Sequence, residues 1–177
     1  MDIKDISLSS PIEEKIEWAM DCYRKMGGRM LEHLKIVDFL GKVKQAIPAS
    51  HTEMSKTGIV ALCRECEQDE GGSCCGVGME NKYDGLLLLI NLFLNIKLPG
   101  VRRDPKSCFF LGEKGCLLKA RHVICINYIC RKISERIDPH EISVLREKEG
   151  EEITLVFLLH EQIRQVLRER IKNNQNG

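Results

Sequence analysis

Eight of the nine cysteines in this 177-residue chain lie between Cys63 and Cys130, and that crowding limits the possible folds more than any other feature. Thiols at such density serve as disulfide staples, as metal or cluster ligands, or as small buried hydrophobes. The first use depends on the compartment. Residues Met1-Asp2-Ile3-Lys4-Asp5 are polar and carry no apolar core of a signal peptide. The longest apolar run, Leu86 to Ile96, is interrupted by Asn91 and Asn95 and falls far short of the roughly 20 residues of a membrane span. The chain is therefore expected in the cytoplasm, with no membrane partner, where thiols stay reduced. An odd cysteine total also fits poorly with a full disulfide framework. Packing cysteines belong in apolar segments, whereas this set is enriched in loops beside Gly. Cys22, on a helical segment away from the others, is the one expected to be a buried free thiol.

The rest of the chain reads as helix. Ser10-Pro11-Ile12-Glu13 has the form of a capping box with Pro at the first helical position, and Ile12, Ile16, Met20 and Tyr23 follow at helical spacing. Gly27-Gly28 is expected to break that run. A second helix is expected from about Arg29 to Ala46, stopped by Pro48, and Ser50-His51-Thr52-Glu53 is expected to open a third towards Cys63. Residues 63–82 read as loop. Asn81 or Asp84 is expected to cap a helix from Leu86 to Ile96 that is apolar all round and hence buried on every side. Residues 100–117 read as irregular. A helix is expected from about Arg121 to Ile137, another from Asp138-Pro139 to Gly150, and a last one from Glu151 to Asn173. On that last helix Ile153, Val156, Phe157, His160, Ile163, Leu167 and Ile171 form one stripe. No run shows sustained strand alternation. The expected architecture is a mainly α, single helical-bundle domain with two cysteine-rich loops gathered around a metal site. It divides into an N-terminal helical segment (1–60), a cysteine-cluster region (61–132) and C-terminal helices (133–177). The apolar Leu86–Ile96 helix serves as the spacer that brings the loops to one end.

The cysteine spacing is Cys63-x2-Cys66-x7-Cys74-Cys75, then 32 residues, then Cys108-x7-Cys116-x8-Cys125-x4-Cys130. A C-x2-C pair chelates one ion because a short turn points both sulfurs to one side. No second C-x2-C pair follows at zinc-ribbon distance, and neither common ferredoxin spacing is complete. The side chains of adjacent residues diverge, so Cys74 and Cys75 can serve different ions, or one can be a ligand and the other a reserve thiol. The flanking glycines let backbone N–H groups approach thiolate or sulfide, and Arg64, Arg102, Arg103, Lys114, Arg121 and Arg131 lie near enough in sequence to offset its charge.

Cys63-Arg-Glu-Cys66 through Cys74-Cys75-Gly76, then Cys108-Phe-Phe-Leu-Gly-Glu-Lys-Gly-Cys116, Cys125 and Cys130, resembles the CxxCxxCC-type cysteine-cluster family, also called YkgJ-like. That family is described as a zinc- or iron-chelating domain. The resemblance covers about residues 60–132. Seven residues separate Cys66 from Cys74 where the family is tighter, Lys119 stands at the family's Tyr, and Arg121-His122 stands where it has Arg-Pro. The resemblance implies metal binding and supplies no reaction.

Cys63, Cys66, Cys74, Cys75, Cys108, Cys116, Cys125 and Cys130 are thus the expected metal ligands. The cofactor is an iron–sulfur cluster or zinc, in one or two sites. His122 is a further candidate, with a role beside the ligands favoured over ligation. His160 is expected to be a satisfied core histidine, and Glu67, Asp69 and Glu70 a solvated acidic run. Gly72-Ser73-Cys74-Cys75-Gly76-Val77-Gly78 lacks the Lys and the strand–loop–helix setting of a phosphate loop. Lys and Arg number 27 against 26 Asp and Glu, so the chain lacks the basic excess of a nucleic-acid binder. No acid/base or nucleophile set points to bond-making catalysis. The expected function is iron–sulfur electron transfer with a redox partner, or a zinc-bearing adaptor that meets another protein.

Overall fold

The computed structural model describes residues 6–69 and 74–175. The protein is mainly α. Helix α1 (Ile12–Met30) begins beside Pro11, with Glu13 and Glu14 in its first turn where they complement the helix dipole. The expected Ser10 capping box does not form: Pro11 takes the cap position in an extended conformation and no side chain caps the helix. Gly27 and Gly28 do not break α1. Ile12, Ile16, Ala19, Cys22, Met26 and Met30 form one continuous buried stripe, and its burial outweighs a glycine cost of about 1 kcal/mol each. Cys22 is a buried free thiol.

Helix α2 (Leu34–Lys56) merges the two helices expected on either side of Pro48. Its buried face runs on through Ile36, Leu40, Val43, Ile47 and Ser50, while Pro48 is exposed. The backbone bond that Pro48 removes is thus lost on the solvent side, where water serves the freed carbonyl. Gly58, at φ 80°, turns the chain out of α2 into α3 (Ile59–Asp69), a backbone region that favours glycine.

Helix α4 (Gly85–Phe93) follows a 3₁₀ turn at Met79–Lys82. Asp84 caps it, accepting from the Leu87 N–H at 2.8 Å. Gly85, Leu87 to Asn91 and Phe93 are all buried, so the apolar-all-round expectation holds. The helix stops earlier than expected, because Asn95 adopts a left-handed φ of 60° before Pro99 is reached. The stretch expected to be irregular contains a small hairpin, β1 (Leu111–Gly112) against β2 (Gly115–Cys116), antiparallel with Leu111 opposite Cys116.

The expected Arg121–Ile137 helix is two short ones, α5 (Val123–Asn127) and α6 (Arg131–Arg136), parted by extended Tyr128 and Cys130. They anchor separately: Ile126 is buried on α5, while Ile133 on α6 joins Ile59 and Leu145 in a small second core. Helix α7 (Pro139–Gln175) is continuous through Gly150 rather than split there. Leu145, Glu149, Glu152, Val156, Leu159, Ile163 and Leu167 recur every three or four residues on its buried side, and Gly150 is exposed. Phe157, expected on that stripe, is exposed, and the Ile171 side chain lies outside the described residues.

The main core gathers α1, α2, α4 and α7 with the Phe109–Phe110 pair. His160 on α7 meets the free oxygen of the α4 cap, Nε2 to Asp84 Oδ2 at 2.8 Å. It is a satisfied histidine of the helix packing. Among the described residues no helix is long and apolar enough to cross a membrane.

Candidate metal centre

Cys63 and Cys66 do not lie in the expected 63–82 loop: they stand on α3, which runs on to Asp69, and the segments around Cys75 and Cys108 are stitched together by backbone. The Cys108 N–H donates to Cys75 O at 2.6 Å, the Val77 N–H donates to Lys106 O at 3.1 Å, and Gly76 bridges Ser107. Glu80 fixes the junction from inside. It is 3% exposed, pairs with Arg102, and accepts from the Gly78 and Phe109 N–H groups. Arg102 in turn donates to Ser107 O.

Asn91, one of the two polar interruptions of the apolar run, holds the next segment. Its amide nitrogen donates to Ala120 O at 2.8 Å, and its oxygen accepts from the N–H groups of Lys119 and Ala120 at 2.9 and 3.1 Å. Two residues on, the His122 N–H donates to the hydroxyl of buried Tyr83 at 3.1 Å. Tyr83 and Asn91 therefore pin the backbone on both sides of Arg121. His122 caps α5, its Nδ1 accepting from the Ile124 N–H, which is a structural duty beside Cys125.

None of the nine cysteines is joined in a disulfide. By electrostatic reach the eight clustered ones form two overlapping sets. Cys63 feels Cys66, Cys74 and Cys130, and Cys74 feels Cys66 and Cys130 and also Cys125. Cys75 feels Cys108, Cys116 and Cys125 and also Cys74, Cys108 feels Cys116 and Cys125, and Cys116 feels Cys125. Adjacent Cys74 and Cys75 thus lean to different sets, and through them the two sets touch. The first set draws on α3, the Cys74 loop and the cap of α6. The second draws on Cys75, the hairpin arms and α5.

The Tyr83 hydroxyl donates to Cys125 Sγ at 3.8 Å, and the backbone N–H groups of Phe110 and Leu118 favour the charged forms of Cys108 and Cys116 against their burial. Hydrogen bonds of this kind orient and tune metal-bound thiolates.

Burial pushes the thiols of Cys63, Cys74, Cys75, Cys108, Cys116 and Cys125 up, Cys75 to about 12 and Cys108 to about 11, and for all but Cys125 like charge from neighbouring thiols adds to the effect. Without a cation these groups are neutral and weakly nucleophilic; a bound metal reverses that, since it deprotonates the thiols that coordinate it. Among the described residues no three His, Cys, Asp or Glu side chains stand in metal-ligating geometry. The donor chemistry nonetheless fits a soft-ligand centre: each set is all thiol, which suits zinc or iron–sulfur and not calcium or magnesium. Of the acidic run, Glu70 and the side chains of Glu67 and Asp69 lie outside the described residues, as do Gly71, Gly72 and Ser73.

Around Arg121 lies a buried polar cluster that sequence reading did not anticipate. Among the described residues, seven buried side-chain atoms have no hydrogen-bond partner: Ser50 Oγ, His51 Nε2, Arg121 Nε and Nη2, Glu149 Oε1 and both Glu152 oxygens. Helical spacing on α2 and α7 puts Ser50–His51 and Glu149–Glu152 on inward faces, but nothing in the sequence marks those faces as polar. Burial pushes Glu149 and Glu152 above the usual carboxylate range, against the pull of Arg146 and Arg121 on the first and of Ser50 and Arg121 on the second. A carboxylate raised in the folded state stabilises below its unfolded pKa, roughly 4.3, and loses that contribution as the pH rises through the folded value. Glu152→Gln is therefore expected to stabilise the metal-free protein at pH 7 by about 1–2 kcal/mol, the cost of an unsatisfied buried group. The gain should vanish near pH 4. Urea unfolding at both pH values checks this, and a less stable variant at pH 7 would contradict it.

No family model, curated protein or solved structure matches this chain.

Proposed function

We propose that this chain is a metal-binding protein whose cysteines hold an iron–sulfur centre, serving electron transfer or a redox partner in the cytoplasm. The observation that carries the reading is the joining of the two cysteine segments, with the Cys108 N–H donating to Cys75 O at 2.6 Å and the Tyr83 hydroxyl to Cys125 Sγ; the eight thiols then fall into two overlapping sets, Cys63, Cys66, Cys74 and Cys130, and Cys75, Cys108, Cys116 and Cys125. Four thiolates are the complement of one cluster. The amide and hydroxyl donors on the second set support it, as does the resemblance to the CxxCxxCC-type family. A cluster supplies a one-electron couple; the protein contributes ligands, hydrogen bonds to sulfur and burial, which set the potential. Zinc is the second reading, favoured by the same number, since structural zinc sites take four ligands. In that case the protein is an adaptor organised by metal, with no reaction of its own.

Protein purified without oxygen decides between them. Iron with matching sulfide and visible absorbance is expected for the first reading, colourless protein with zinc for the second. Cys66→Ser with Cys74→Ser should remove one share of the metal, and Cys108→Ser with Cys116→Ser the other. Protein that carries neither metal, with all eight thiols freely alkylated in the folded state, would sink both readings.

A further inference from the structure

Arg121 stands where the two cysteine sets and the buried polar cluster meet. Its positive charge reaches Cys63 of the first set, Cys116 and Cys125 of the second, and also His51, Glu149 and Glu152. Two of its donors, Nε and Nη2, are buried and have no hydrogen-bond partner. A guanidinium is always charged and presents five N–H donors in a rigid plane, so leaving two of them dry and unpaired is costly. The chain nevertheless fixes this residue with care. Ala120 before it is clamped by Asn91, and His122 after it by Tyr83. The clamp at His122 is itself tied to a thiol, since the Tyr83 hydroxyl that accepts from the His122 N–H also donates to Cys125 Sγ at 3.8 Å, and the two dry donors of Arg121 have no sulfur or oxygen hydrogen-bond partner among the described residues. Four thiolates around one divalent ion leave an excess of negative charge, which a neighbouring guanidinium offsets.

We infer that Arg121 is a positioning residue shared by the two cysteine sets: its Nε and Nη2 donate to ligand sulfurs of the loaded centre. This rests on the metal-binding reading above. It goes beyond that reading in making the two sets a coupled pair joined by one guanidinium, with α2 and α7 taking part through the polar cluster.

Cobalt(II) added to the full-length protein without oxygen is the probe, followed by the thiolate-to-cobalt charge-transfer band and by competition with a chelator. Arg121→Met is expected to bind cobalt about ten- to a hundredfold more weakly, the usual cost of losing a hydrogen bond to a ligand, with a shifted band. The same variant without metal should melt no lower than the wild type, because it removes unpaired buried donors. Arg121→Lys should restore part of the affinity. If Arg121→Met is not helical by far-UV circular dichroism, Arg121→Gln takes its place with the same expectations. Unchanged affinity and an unshifted band in the variant, with cobalt bound by the wild type, would overturn the inference alone. A loss of affinity matched by an equal loss of metal-free stability would also overturn it, by showing a structural role. Wild-type protein that takes up no cobalt would overturn both the inference and the reading beneath it.

Discussion

Asn91→Leu is expected to lower the stability of the metal-free protein by about 4 kcal/mol, although it makes α4 more apolar. The Asn91 amide is the partner of three backbone groups on another segment, the N–H of Lys119 and both the N–H and the C=O of Ala120. Ala120 is fully buried. Leucine matches the volume and contributes nothing to those groups, each of which costs about 1–3 kcal/mol when buried and unpaired; relaxation of the segment trims the sum. Against a typical total of about 5–15 kcal/mol this is a large share. Urea denaturation measures it, and amide exchange locates it, since protection at Lys119 and Ala120 should fall first. A loss under about 1 kcal/mol would mean that the segment finds other partners.

Glu80→Ala comes next in size. Burial opposes charge on Glu80, but the Arg102 guanidinium and the N–H groups it accepts outweigh burial and hold its carboxyl below the usual range. Removing it strands Arg102, the Gly78 N–H and the Phe109 N–H together. The expected loss is about 3 kcal/mol at pH 7, the lower end for breaking a buried pair because Arg102 stays partly exposed. A depressed carboxyl contributes fully above its unfolded pKa, roughly 4.3, and loses that contribution as the pH falls through the folded value. The gap between wild type and variant should therefore close in acid. A gap that stays constant from pH 7 to pH 3 would assign the loss to packing instead.

These residues also show what can be read before a structure exists. Helix content, the burial of Leu87 to Asn91 and the Asp84 cap follow from periodicity and local hydrogen bonding, so they were legible. Boundaries that depend on burial elsewhere were not. Pro48 and Gly150 signal stops, yet each lies on the exposed side of a helix whose other side is continuously buried, and the packing of α2 against α7 overrides the local preference. The reverse holds at Tyr128, where a good helical run is broken because Ile126 and Ile133 anchor in different places. Spacing marked the eight thiols as a group. Which of them lie near one another depends on contacts such as the Cys108 N–H to Cys75 O bond, which joins segments far apart in sequence. Spacing also could not find the partnerless groups of Ser50, His51, Arg121, Glu149 and Glu152, whose proximity spans a hundred residues of sequence.

The burial of α4 on every side has a bearing on transplantation. Small cysteine modules are often portable, because metal supplies nearly all of their cohesion and their surfaces are polar. Residues 61–132 could not be grafted in that way. Cut out, that stretch would carry a fully apolar rod whose walls are α1 and α7, and it would aggregate before any ion could organise it. Whatever the eight thiols do, they do it as part of this scaffold, and any change in their chemistry has to pass through the same core that keeps the helices together.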